Sequence, residues 1–112
     1  MTAASLTPVA TFSSPRFAPL VAVTRNSLNP AWTVDAEGIE MRIMRRHRIP
    51  WREVERVTYR WRLAHQVTVW PWTGWRVFSA NFAGEDGRRA LAALAARGVL
   101  LDDQAQALLA GA

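Results

Sequence analysis

Few side chains in this sequence could do acid–base or nucleophilic work. There are two histidines, His47 and His65, and no cysteine. Glu53 and Glu55 flank Val54 as a possible carboxylate pair. His47 lies in the run Arg45-Arg46-His47-Arg48, where neighbouring positive charge disfavours the protonated ring. His65 falls between two expected strands and reads as a turn residue. The two glutamates read as a solvated edge pairing with arginine rather than a catalytic dyad. Gly84, Gly87 and Gly98 do not have the spacing of a phosphate-cradling loop, and ligands for a metal are too few. The expectation is a non-catalytic protein without cofactor or metal.

The unusual chemistry is arginine beside tryptophan. All 14 basic residues are Arg, and six Trp are present. Trp51-Arg52, Arg60-Trp61-Arg62 and Trp75-Arg76 put cations next to indoles, and Trp70-Pro71-Trp72-Thr73-Gly74-Trp75 packs three rings into one hairpin. Such side chains can neutralise anions and stack on flat groups. The net charge of +5 is uneven, with eight Arg against five acids from Asp35 to Arg62. A basic surface fits nucleic acid or an anionic membrane. The complete absence of Lys also fits a compositional bias in which Arg fills every basic position.

The elements that must position these residues are mostly strands. Val57, Tyr59, Trp61 and Leu63 alternate with Arg56, Thr58, Arg60 and Arg62, the period of a half-buried strand with one wet face, and this is expected to be the central strand. The preceding Ile49 to Val54 reads as a short turn of chain. Upstream, Phe17 to Arg25 reads as a first strand, and Trp32 to Val34 with Ile39 to Met44 as a hairpin whose turn uses a positive φ at Gly38. Ile39, Met41 and Ile43 share one side. Arg45, Arg46, His47 and Arg48 then form a basic loop. Gln66 to Trp72 and Trp75 to Ala80 make another hairpin about Thr73-Gly74. Helical spacing begins near Asp86, the expected N-cap, and ends at Gly98 with Leu91 and Leu94 inward. A short helical tail carries Ala105, Leu108 and Leu109. No internal repeat is evident.

With 112 residues the chain is one domain. Residues 1–16 are expected to be a flexible N-terminal arm, 17–98 a β-barrel with a closing helix, and 99–112 a helical tail. The class is mainly β (α+β), with about seven antiparallel strands. No apolar run approaches the ~20 residues of a membrane span, and the N-terminus is a poor signal peptide. A cytoplasmic location is expected, with peripheral membrane contact left open.

Through DAEGIEMRIMRRHRIPWREVERVTYRW, two further strands and ALAALAARGV, the chain resembles the bacterial pleckstrin-homology-like domains. In these a glycine-containing hairpin, an I-P-W-x-E-V step, an alternating strand and a closing helix recur in this order. The resemblance implies a bent β-sandwich or partly open barrel, and a binding or self-assembly module. Eukaryotic relatives in fold bind phosphoinositides through a basic first hairpin loop. Here Asn26 to Pro30 has only Arg25 beside it, so that activity is not carried over.

The parity of the loop after Leu63 decides how the tryptophans are used. An even loop turns Trp70, Trp72 and Trp75 inward with Tyr59. An odd loop turns Val67, Val69 and Phe78 inward and leaves the indoles beside Arg60 and Arg62. The outward arrangement makes Trp70, Trp72, Trp75, Arg60 and Arg62 an interaction face. Phe12, Phe17 or the tail helix could cover it from within; a second copy, another protein, a membrane interface or stacked nucleic-acid bases could cover it from outside.

Overall fold

The computed structural model describes residues 4–19, 21–61 and 64–111. Its strands are β1 (Ala4–Leu6), β2 (Ala10–Pro15), β3 (Thr24–Asn26), β4 (Ala31–Val34), β5 (Gly38–Arg42), β6 (Arg46–Pro50), β7 (Val54–Trp61), β8 (His65–Pro71) and β9 (Arg76–Phe82). Two helices follow, α1 (Asp86–Ala95) and α2 (Asp103–Leu109). The strands form two antiparallel sheets, in the orders β1-β4-β5-β6 and β3-β2-β9-β8-β7. This is a mainly β sandwich closed by C-terminal helices.

The core follows from alternation. Trp32, Val34, Ile39, Met41 and Ile49 of the first sheet meet Val57, Tyr59, Val67, Val69, Ala80 and Phe82 of the second. Trp32 stands edge-on to Phe82, with ring centroids 5.3 Å apart. Helix α1 adds Ala90, Leu91 and Leu94 to the same core. Its N-cap is Glu85 rather than Asp86, whose carboxylate instead pairs with Arg89 at 3.2 Å. Gly98, at φ +77°, lies just beyond the C-terminal end of the helix, as its position suggests.

The stretch expected to be an arm is instead built into the sandwich. Strand β2 lies between β3 and β9, and Ala10 to Ser14 are buried. Ser13 Oγ meets Thr24 Oγ1 of β3 at 2.6 Å, and Thr11 Oγ1 donates to Arg42 O of β5 in the other sheet. The expected first strand from Phe17 to Arg25 shrinks to β3, and Phe17 is 90% exposed. Proline at 15 and 19 removes backbone donors from that stretch.

Three further expectations are corrected. Gly38 has no positive φ; a Cβ there would collide with the backbone of Ile49 and Pro50, so the need is close approach of strands. Of the expected basic loop only Arg45 lies in the β5–β6 connection: Arg46, His47 and Arg48 belong to β6 and pair with β5. Strand β7 ends its sheet rather than centring it. Its outer side is covered by the chain entering α2, where Val57 N donates to Leu100 O at 2.8 Å and Asp102 N to Val57 O at 3.0 Å. Trp51–Glu53 forms a 3-10 turn that delivers the chain to β7.

The loop between β7 and β8 spans residues 62–64, because Trp61 pairs with His65. This odd length opposes Val57 to Val69 and Tyr59 to Val67, and sends Trp70 to the other face opposite Arg56. Arg62 and Leu63 lie outside the described residues.

Candidate functional site: a basic and aromatic cleft

Strand β6 ends the first sheet, and a cleft of about 560 Å³ runs along it. Five consecutive residues, Arg45 to Ile49, make one wall, and the tip of the β8–β9 hairpin makes the other. The sequence separates these walls by some 25 residues, so only the fold brings the basic run to Trp75, Arg76 and Phe78.

The hairpin tip is fixed by its neighbours. Its connection is Trp72 to Trp75, not a two-residue turn. Trp72 N donates to Glu53 O at 2.9 Å, and Arg16 N donates to Trp75 O at 2.7 Å. The Arg16 guanidinium donates to the carbonyls of Pro71 and Gly74. Gly74 takes φ +94°, a conformation that L side chains rarely adopt. The indoles of Trp72 and Trp75 are thereby held 63% and 58% exposed.

The four residues of the basic run are not equivalent. Arg48 is engaged by Asp35 at 2.9 Å, Glu37 at 3.1 Å and Glu40 at 3.4 Å. Arg46 reaches Glu40 only at 3.9 Å. Among the described residues Arg45 and Arg76 have no carboxylate partner. Arg76 lies over the rings of Trp75 and Phe78, at 5.3 and 5.4 Å from their centroids. The His47 ring is 5.2 Å from that of Phe78. Burial, reinforced by the charges of Arg76 and Arg45, holds its pKa below the ordinary 6.5. The cleft thus offers uncompensated guanidinium groups beside apolar rings, with Glu53 as the acid on its rim.

Comparison with protein-family models, curated proteins and solved structures finds no match.

The expected interaction face is divided by the structure. The guanidinium groups of Arg56 and Arg16 lie 4.1 and 5.7 Å from the centre of the Trp70 ring, and its Nε1 donates to Thr58 Oγ1 at 2.9 Å. Arg60 pairs with Asp102. Trp70 and Arg60 instead line a second groove, of about 490 Å³, on the outer face of the five-stranded sheet. Only Trp72 and Trp75 remain as exposed indoles at the tip. Arg76, which lines the cleft, and Arg16, which holds the hairpin tip beside it, carried no sequence signal beyond the dipeptide Trp75-Arg76. Their roles depend on contacts across 58 residues in one case and on the fold of β9 in the other.

The remaining acid–base groups are engaged. Glu55 is held by Arg56 at 2.9 Å and Arg16 at 3.6 Å. His65 Nδ1 lies 2.6 Å from Tyr59 Oη. Among the described residues no group of three His, Asp or Glu could hold a metal, and no helix is long and apolar enough to cross a membrane.

Proposed function

We propose that this protein is a non-catalytic binding module, of the pleckstrin-homology-like kind that its sequence resembles, which holds an anionic polypeptide in the cleft between β6 and the β8–β9 tip. The observation that carries this reading is the placement of Arg45 and Arg76, without carboxylate partners, beside the exposed ring of Trp75. Charged groups of this kind set orientation and on-rate, and a rigid indole supplies contact area.

The test is a nuclear magnetic resonance titration with a capped glutamate-rich peptide and, separately, with oligothymidylate. Shifts centred on Arg45, Arg76 and the Trp75 indole with the peptide support the reading. The same shifts with oligothymidylate alone would assign the site to single-stranded nucleic acid, which also uses arginine and stacked rings.

Self-association is the second reading, favoured by two indoles more than half exposed on one tip. It predicts a light-scattering mass above that of one chain, returning to one chain in a Trp72→Ser/Trp75→Ser variant that keeps its fold.

A further inference from the structure

The β6 edge has a definite hydrogen-bonding phase. Trp51 N donates to Glu37 O at 3.2 Å, and the β5–β6 register continues from it through Gly38 with Pro50 and Ile39 with Ile49. In an antiparallel ladder, bonded and non-bonded pairs alternate. Glu37 and Trp51 belong to the bonded set, so Ile49 and His47 bond across to β5. Arg48 and Arg46 then turn their N–H and C=O groups away from β5, and Pro50, which has no N–H, falls at a position where none is needed. Strand β6 has no neighbour on that side. The cleft lies against this edge, since its wall takes Arg45 to Ile49 without a gap.

We infer that the open edge of β6 takes up an extended acidic segment of a different protein as an added strand. This rests on the cleft being a polypeptide site, as proposed above, and specifies how the polypeptide sits. The bare edge alternates donors and acceptors, which a peptide backbone matches in full. A phosphate backbone supplies acceptors alone and leaves the Arg46 and Arg48 carbonyls unanswered. Side chains of the added strand that point outward meet Arg46, so acids suit those positions. Those pointing inward meet the His47 and Phe78 rings, so apolar residues suit them. The recognised pattern is acidic–apolar–acidic, with Arg45 and Arg76 available to further carboxylates. A second copy of this chain has no such strand to give: it carries +5, Asp35 and Glu37 are held by Arg48, and Glu55 by Arg16 and Arg56.

The experiment uses the full chain and a capped peptide of alternating Glu and Val, with an otherwise identical peptide N-methylated at alternate residues. Binding is followed by residue-resolved amide exchange. The plain peptide should slow exchange at Arg46 and Arg48 by at least about tenfold, and the N-methylated peptide should bind at least about tenfold more weakly. Arg45→Glu/Arg76→Glu should weaken the plain peptide by about tenfold or more while thermal melting is unchanged. Shifts at Trp75 and Arg76 without slower exchange at Arg46 and Arg48 would overturn the added strand and leave the cleft as a binding site. No shifts with the Glu/Val peptide would overturn both.

Discussion

Arg48 donates through one guanidinium nitrogen to both carboxylate oxygens of Asp35, each at 2.9 Å. Asp35 in turn accepts from the backbone N–H groups of Glu37 and Gly38, at 2.8 and 3.1 Å. One residue of the basic run therefore secures the β4–β5 turn, whereas Arg45 faces the cleft. The arginines that look alike in sequence divide into one held by three carboxylates and one without a carboxylate partner among the described residues.

This division has a pH signature. The Arg48 side chain, helped by the two N–H donors, holds the Asp35 carboxyl below its ordinary 3.8. A depressed carboxyl contributes stability that is complete above its unfolded pKa and lost as pH falls through the folded value. Urea midpoints should therefore fall on acidification below about 3.8. In Arg48→Gln that acid limb should flatten, whereas Arg45→Gln should keep it.

Protonation of His47 should be coupled to occupancy of the cleft. Burial, then Arg76 and Arg45, keep the ring's pKa below 6.5 in the free protein. The unfolded chain consequently takes up the proton first as pH drops, and stability declines from 6.5 towards the folded pKa. The apolar side chain of the added strand that packs on the ring buries it further and disfavours its protonated form. Affinity for the Glu/Val peptide should therefore fall as pH drops below 6.5 and the free ring takes up its proton. His47→Gln should remove the His47 contribution to this slope in isothermal titration.

The tryptophans should separate into two stability classes. Trp32 is 1% exposed and packs on Phe82, so Trp32→Ala should cost about 3–5 kcal/mol. Trp51 is half-buried and donates to Asp35 O at 3.0 Å, placing Trp51→Ala near the lower end, about 3 kcal/mol. Trp72→Ser and Trp75→Ser should each stay within about 0.5 kcal/mol of the parent. Chemical denaturation of the four variants checks the ordering.

Asp102 joins α2 to β7. Its Oδ1 accepts from Ala105 N at 3.0 Å and from Tyr59 N at 3.2 Å, and Oδ2 meets Arg60. Asp102→Ala should cost about 1–2 kcal/mol as a lost cap. Asp102→Asn keeps the capping oxygen and loses the charge, so it should cost well under half as much in denaturation experiments.

Where apolar alternation was strong, the fold was legible: Val57 and Tyr59 on β7, Ile39 and Met41 on β5, and Leu91 and Leu94 on α1 all face the core. Legibility failed where polar residues are buried. Strand β2 reads as Ser and Thr, yet it is buried, with Ser13 meeting the Thr24 hydroxyl and Thr11 donating to Arg42 O. The aromatic hairpin was only half legible. Its outward face follows from a three-residue loop that no turn residue announces, and the register fixes it. The cleft could not be read at all, because its walls come from different sheets.

The arginines of β6 also govern what the strand refuses. An unpaired strand edge is a template for pairing with its own kind, the first step of edge-to-edge aggregation. Two β6 strands brought together would place Arg46 and Arg48 of each copy against those of the other, and like charges directly opposite are destabilising. Strand β7 is shielded by covalently attached chain, whereas β6 has this repulsion and the missing N–H of Pro50. Exchanging Arg46 for a neutral residue would therefore remove a gatekeeper, and loss of colloidal stability would precede any loss of fold.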